Sequence, residues 1–309
     1  AEQLLFAEDD TYRAGLVATE LATNIVKHAT GGGEMLVRGL TDDIGASVEM
    51  IALDRGPGMT DVDACFRDGV STTGTMGAGL GGVSRLADEF DMHSEPGRGT
   101  AVLARVRAGH ARGAPAGRMQ CAGVARAVEG EPVCGDAWTW RAHDQGYAVV
   151  IADGLGHGLQ AAHAASTAVD IFEQQPYATG LDMLRLIHRG LAHTRGAAAT
   201  IVDIRPAEAC VKVTGIGNVA AVLAKPGYAR AAVALPGVLG HQARQFRDFF
   251  YPWSRDTLVV VHSDGLSNRW TIDAYRGLYP KHPALIAAVL YRDCQRGRDD
   301  ASVVVVRAG

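Results

Sequence analysis

The chain has 309 residues, 47% of them hydrophobic and 21% charged, with a formal net charge of -4 at pH 7. That length holds two ordinary domains, and the composition is that of a globular chain rather than a disordered one. The acidic balance excludes the basic face of a nucleic-acid binder, no apolar run reaches the ~20 residues of a membrane span, and no signal peptide is visible. Cysteines 65, 121, 134, 210 and 294 are scattered and form no C-x-x-C pair. They predict reduced thiols in a cytoplasmic protein.

Residues 11–29 read as a helix, and "EMLVRGL" and "SVEMIALD" as strands. The turn "RGPGM", a helix near 80–89 and short strands at "FDMHS" and "TAVLARV" complete a mixed helix-and-sheet layer. The stretch "RAGHARGAPAGR", Arg107 to Arg118, is rich in Gly, Ala and Arg and lacks an apolar period. It predicts a first domain at 1–107, a linker at 108–118 and a second domain at 119–309. Beyond it, strands are expected near 120–127, 134–141, 147–153, 199–204, 209–216, 219–223 and 257–263, with helices near 158–173 and 180–193. Strands outnumber helices there, which predicts a two-sheet sandwich with helices outside.

Within the first helix, Glu20, Asn24 and His28 recur every four residues and share one face, beside an apolar stripe of Leu16, Val17, Leu21 and Ile25. A solvated polar stripe is the ordinary reading of such spacing; the lining of a cleft is the other. Next, the apolar strand "IALDRGPGM" ends at Asp54, with Gly56 and Gly58 following. Glycines 74, 77, 79, 81 and 82 then run straight into a helix. Free backbone N–H groups at such a start suit an anion, although no Gly-Lys-Ser/Thr of a Walker motif follows.

A helix with Glu and Asn, then D-x-G-x-G, then G-x-G before a helix, then Gly99-Thr100 before a strand, resembles the GHKL ATPases over nearly all of residues 11–106. The short lid in "DGVSTTGTMGAGLGGVSRLADEFDMHSEPGRGT" is similar to the RsbT-type serine kinases of bacterial stress signalling. No phospho-acceptor His helix stands ahead, so a histidine kinase fits poorly, and the N-terminal strand of these kinases is expected to be short or missing. The resemblance implies an α/β sandwich that binds ATP with magnesium. It assigns Asn24 to the magnesium, Asp54 to the adenine amino group and Gly56 and Gly58 to close approach of the base. Gly77 and Gly79 would cradle phosphates, Thr100 would close the adenine site, and Glu20 would act as general base on a serine hydroxyl.

Acids also mark strand ends in the second half: Asp136 in "VCGDAWTW", Asp153 in "IADGLGHG", Asp264 in "VVVHSDGL" and Asp299 with Asp300 in "DDASVVVV". Hard cations take several oxygen ligands, and carboxylates at strand ends of a rigid sandwich can supply them. Asp-Gly is also a common turn, but here it recurs in order. Together these segments resemble the PPM family of metal-dependent phosphatases, in its SpoIIE/RsbX branch, across residues 119–309. The resemblance implies an α-β-β-α sandwich with two Mn2+ or Mg2+ ions. Asp136 and Asp153 would bridge them, the Gly154 carbonyl would bind one, and Asp264 and Asp299 the other. His157 is read as a capping histidine more than a proton donor, and Cys134, Trp138, Trp140 and His262 as packing residues.

The expected whole is α+β and bifunctional: a serine kinase and a phosphoserine phosphatase acting on STAS-domain antagonist proteins, with a sigma factor or downstream regulator as a further partner. The rival is an ATP-binding module that sequesters a regulator, without catalysis, beside an active phosphatase. A flexible linker of 11 residues spans roughly 18 Å r.m.s., which gives shared substrate a high local concentration.

Overall fold

Helix α1 (Glu8–His28) opens on Glu8, Asp9 and Asp10 and closes on Lys27 and His28, charges that suit both ends of its dipole. In the computed structural model, which describes residues 6–42, 44–62, 79–110, 119–178 and 180–309, this helix buries Ala14, Val17 and Leu21. Leu16, placed in that stripe by spacing, is 40% exposed; it lies on the outer side of the turn. Arg13 pins the helix, pairing with Asp10 at 2.9 Å and Asp88 at 3.0 Å and donating to the Arg107 carbonyl at 2.7 Å.

The helix lies on a four-stranded antiparallel sheet ordered β1-β2-β4-β3. Its strands are β1 (Gly33–Asp42), β2 (Gly45–Asp54), β3 (Glu89–Glu95) and β4 (Gly99–Arg107). The short α2 (Leu80–Leu86) precedes β3. Alternation along β2 sends Val48, Met50 and Ala52 toward Val17 and Leu21 of α1, with Val102 and Ala104 of β4 beside them. The opposite face carries Glu49, Ile51, Leu53 and Leu103, also buried. There Glu49 accepts from Arg105 at 2.5 and 2.7 Å and from Arg38 at 2.7 Å. The Arg105 and Arg38 charges hold its carboxyl below the ordinary range against the opposing effect of burial.

Two compact units divide the chain: Ala1–Ala116 with Tyr275–Val289, and Gly117–Ala274 with Leu290–Gly309. In the second unit, one sheet is ordered β12-β9-β8-β7-β6 and the other β11-β10-β13-β14-β5. The first contains β6 (Asp136–His143), β7 (Gly146–Gly154), β8 (Ala197–Arg205), β9 (Cys210–Ile216) and β12 (Phe249–Pro252). The second contains β5 (Met119–Arg126), β10 (Ala220–Lys225), β11 (Tyr228–Ala231), β13 (Leu258–His262) and β14 (Ala301–Ala308). Val149, Ile151, Val202 and Val213 meet Val259, Val261, Val304 and Val306 in the core between them. This is the sandwich that the strand count predicted, within an α+β chain.

Outside the first sheet, α3 (Leu159–Gln174) and α4 (Gly180–Gly190) pack on Ala148, Val150 and Ala152. The alanines 161, 164, 165 and 168 of α3 are fully buried; small side chains bring the helix backbone close to the strands. Arg141 of β6 donates to the carbonyls of Phe172, Gln175 and Ala178, satisfying groups freed where α3 ends. Helix α5 (Pro283–Cys294) was not anticipated. Its sequence "PALIAAVLYRDC" is apolar almost throughout, so it has no polar face to give a helical period, and residues 284–290 are 0% exposed. No helix among the described residues is long and apolar enough to cross a membrane.

Candidate functional site

In the first unit, Asp54 closes β2 and turns its carboxylate onto backbone amides. Its Oδ1 accepts from Gly56 N at 2.7 Å and Thr100 N at 3.2 Å. One aspartate therefore joins the D-x-G-x-G turn to the start of β4. The glycines permit this closeness. A Cβ at Gly58, whose φ is +68°, would stand 2.1 Å from the Glu95 carbonyl, and one at Gly99, φ +80°, 2.1 Å from the Asp54 carbonyl. The Thr100 hydroxyl is buried against Ser94 Oγ at 2.9 Å, and Ser94 also accepts from Met59 N at 2.9 Å.

Glu20 and Asn24 are half-buried on the same α1 face, and His28 is exposed at the helix end. Asn24 Nδ2 is buried with no hydrogen-bond partner, which costs free energy unless a ligand's polar group meets it. Gly79 caps α2, and no atom of the described residues lies within 4 Å of where its side chain would be. The orphaned Asn24 NH2, a hydrogen-bond donor, and the amide-holding Asp54 fit the oxygens and amino group of a nucleotide. Gly77 lies outside the described residues.

In the second unit, Asp136 begins β6 and Asp153 stands directly opposite it near the end of β7. Asp264 follows β13, and Asp299 and Asp300 precede β14, which pairs with β13. The two sheets thus each contribute acids at strand ends. Burial pushes Asp136 up to about 7, with the Asp300 and Asp299 charges adding to it and the Ser263 hydroxyl opposing it. Burial, then the charges of Asp136, Asp264, Asp299 and Asp300, push Asp153 up to about 9. Asp299 is raised by burial and by Asp264 and Asp300, and His157 opposes the shift. Asp136 Oδ2 is buried with no hydrogen-bond partner. Among the described residues no three His, Cys, Asp or Glu side chains gather round one point. Like charges repel, and a dication is what would draw these oxygens together. The oxygen-only donor set and the orphaned Asp136 oxygen fit a hard metal.

Several neighbours were not legible beforehand. Asp300 is buried and spends both oxygens on backbone, Oδ1 accepting from Val128 N and Oδ2 from Gly135 N, each at 2.8 Å. It fixes the residue before Asp136 rather than offering a free ligand. Asn218 Nδ2 donates to Asp264 Oδ2 at 2.6 Å, and the glycines flanking "GIGN" are the signal that a tight turn is built there. Glu131 accepts from His157 Nδ1 at 2.5 Å, so His157 is an oriented side chain with an acid partner. Gly154 is required for a reason apart from its expected carbonyl role: a Cβ there would meet the Ala161 carbonyl of α3 at 2.1 Å. The Cys134 thiol is pushed up to about 12 by burial and by Asp136, which suits a packed thiol. His262 has Nδ1 paired with the Ser263 carbonyl at 2.8 Å, while Nε2 is buried without a partner.

Residues 143–309, more than half of the chain, match the family model of Stage II sporulation protein E. The chain belongs to the SpoIIE family. Its residues 1–106 match the histidine kinase-like ATPase domain. They are 40% identical over 104 residues to the serine/threonine-protein kinase RsbT of Bacillus subtilis, covering 34% of this chain and 77% of that protein. The phosphoserine phosphatase RsbX of the same organism is 24% identical over 140 residues, 45% of this chain and 70% of RsbX. A solved structure from a study of the bacterial stressosome superposes with a TM-score of 0.58 at 26% identity, covering 62% of this chain and all of its own (100%). This SpoIIE-family chain therefore joins an RsbT-like ATPase domain to a PP2C-type phosphatase domain.

Proposed function

We propose that the chain is a two-way switch acting on STAS-domain antagonist proteins in a sigma-factor partner-switching or stressosome-like pathway. Residues 1–107 form an ATP-dependent serine kinase, 108–118 a linker, and 119–309 a metal-dependent phosphoserine phosphatase. The observation that carries this reading is the presence, in one chain, of an RsbT-like domain at 40% identity and a SpoIIE-family domain.

In the kinase half, Asp54 accepts from the adenine amino group while its backbone bonds keep it aimed, and Gly56 and Gly58 let the base come close. Gly79 would present its amide to the phosphates, as the resemblance also expects of Gly77, and Thr100 would close the site. Asn24 would hold the magnesium, and Glu20 would take the proton from the attacking serine hydroxyl. Positioning and charge neutralisation do most of the work in phosphoryl transfer, so this small set suffices. In the phosphatase half, Asp136, Asp153, Asp264, Asp299 and the Gly154 carbonyl would hold the metal ions. Bound manganese or magnesium supplies Lewis acidity there. Asp300 holds the Asp136 strand end in place, and Asn218 orients Asp264.

The test uses labelled ATP with candidate STAS proteins, and hydrolysis of their phosphoserine forms with manganese or chelator. Glu20→Ala should reduce transfer about 10²–10⁴-fold, the usual range for a general base, and leave hydrolysis intact. Asp153→Asn should do the reverse. Hydrolysis without transfer to any candidate would make the first domain a binding module, and metal-independent hydrolysis would overturn the phosphatase reading.

A further inference from the structure

We propose that Arg195 is a substrate-binding residue of the phosphatase, and that its guanidinium takes the phosphate group of the phosphoserine substrate. The inference deepens the phosphatase reading above and rests on it. Every residue it uses lies in the second unit.

The turn after Asp153 and Gly154 is built on two glycines of positive φ, Gly156 at +81° and Gly158 at +77°. A charged side chain lies against each. A Cβ at Gly158 would stand 2.8 Å from Glu131 Oε2, and one at Gly156 would stand 3.2 Å from Arg195 Nη1. The Glu131 carboxylate is spent on His157. The Arg195 guanidinium packs on the turn itself. Consecutive Cα atoms are about 3.8 Å apart, so Gly156 is at most about 7.6 Å from Gly154, the proposed carbonyl ligand. The loop that carries Arg195 is tied to the same turn. The Gly196 carbonyl accepts from Leu155 N, the Thr194 hydroxyl from Gly196 N, and the Thr194 carbonyl meets His241 Nε2, each at 3.0 Å.

The side chain is held by a neutral group. Arg195 Nε donates to Gln160 Oε1 at 2.8 Å, in the first turn of α3. Among the described residues no carboxylate pairs with it, although this end of the sandwich carries Asp136, Asp153, Asp264, Asp299 and Asp300. Arg195 is exposed, so the two terminal nitrogens are left to an anion from solution. A guanidinium fork matches the oxygens of a phosphate and binds them with charge-assisted hydrogen bonds. Charge balance calls for such a group. The carboxylates of Asp136, Asp153, Asp264 and Asp299 would cancel the charge of a pair of dications, so a phosphate dianion arriving there would meet no net positive charge. A guanidinium not committed to an acid supplies it.

The experiment uses the full chain loaded with magnesium. Calorimetry measures the affinity for inorganic phosphate and, separately, for magnesium, and hydrolysis of p-nitrophenyl phosphate gives kcat/KM. Arg195→Met keeps the length of the stem and removes the charge. It should weaken phosphate binding about tenfold or more, the scale of a lost hydrogen bond to a charged group, and lower kcat/KM by a similar factor. Magnesium affinity and melting temperature should stay at the wild-type values. Arg195→Lys restores the charge without the fork or the Nε–H bond to Gln160, and should fall between the two. An Arg195→Met protein that binds phosphate and hydrolyses like the wild type overturns the proposal. So does a magnesium affinity that falls in step with phosphate affinity, which would make Arg195 a prop of the turn. A wild type that hydrolyses without metal, or does not hydrolyse at all, overturns the phosphatase reading and this inference together, and is seen before any substitution is made.

Discussion

Asp136 faces Asp153 across the antiparallel β6–β7 pair, and both carboxyls are raised, to about 7 and about 9, by burial first and by neighbouring acids. The folded state therefore keeps protons that the unfolded chain has already lost. For a group raised in this way the stabilisation is complete below the unfolded value and disappears as pH climbs through the folded one. In chelator, the melting temperature of the phosphatase unit should fall between about pH 5 and about pH 9. Manganese or magnesium held by these two aspartates, as proposed, would displace those protons, so metal should bind more weakly at about pH 6 and release more protons there than at about pH 9. Calorimetry in buffers of different ionisation enthalpy measures the release. A metal affinity independent of pH would separate these two aspartates from the metal.

Asp300 is predicted to matter through backbone rather than metal. Asp300→Ala leaves the Val128 and Gly135 amides without their carboxylate. A buried amide left unsatisfied costs about 1–3 kcal/mol, so thermal unfolding of the second unit should show a loss of at least that size. Asp299→Asn, by contrast, should weaken metal binding with little loss of stability, because Asp299 is half-exposed. Equal effects of the two substitutions on stability would contradict this division.

Glu49 offers a test in the first unit. It is 1% exposed and pairs with Arg105 and Arg38. Glu49→Ala leaves the buried Arg105 guanidinium with Glu89 alone as its partner, at 2.7 Å, and should destabilise the unit by about 1–3 kcal/mol. Its carboxyl is held low, so its stabilisation is present above the ordinary carboxylate range and is lost only as pH falls below it. Denaturant titrations of wild type and mutant should converge in strong acid and separate near neutrality.

What could be read from sequence was what is local. A strand ending in an acid and followed at once by glycine is a short pattern, so Asp54 and Asp153 stood out. Asn218 lies 46 residues from Asp264, and no period connects them; only folding does. Asp300 was visible as an acid, but whether it faces a metal or two amides depends on the direction of its side chain. Gly154 was marked as a carbonyl ligand by the resemblance, whereas the constraint the structure shows comes from α3. Helix α5 escaped because periodicity needs a polar face and its buried stretch has none.

The nucleotide reading is tested most sharply at Asp54. Oδ1 accepts two amides, from Gly56 and Thr100, and the proposed adenine amino group is a third donor to the same carboxylate. Asn presents one oxygen and one NH2. If the oxygen takes the two backbone amides, the NH2 points at the adenine donor. Flipped, the NH2 opposes Gly56 and Thr100 and the turn loosens. Either orientation sets donor against donor, at a cost of about 1–3 kcal/mol, which is roughly a 5- to 150-fold loss of affinity. Asp54→Asn should thus weaken ATP binding by that factor in calorimetry on the full chain. Manganese-dependent phosphatase turnover without nucleotide should be unaltered. Guanine carries a carbonyl where adenine carries the amino group, so the mutant should also discriminate less between ATP and GTP. Undiminished ATP affinity and preference in a folded Asp54→Asn protein would remove Asp54 from adenine recognition.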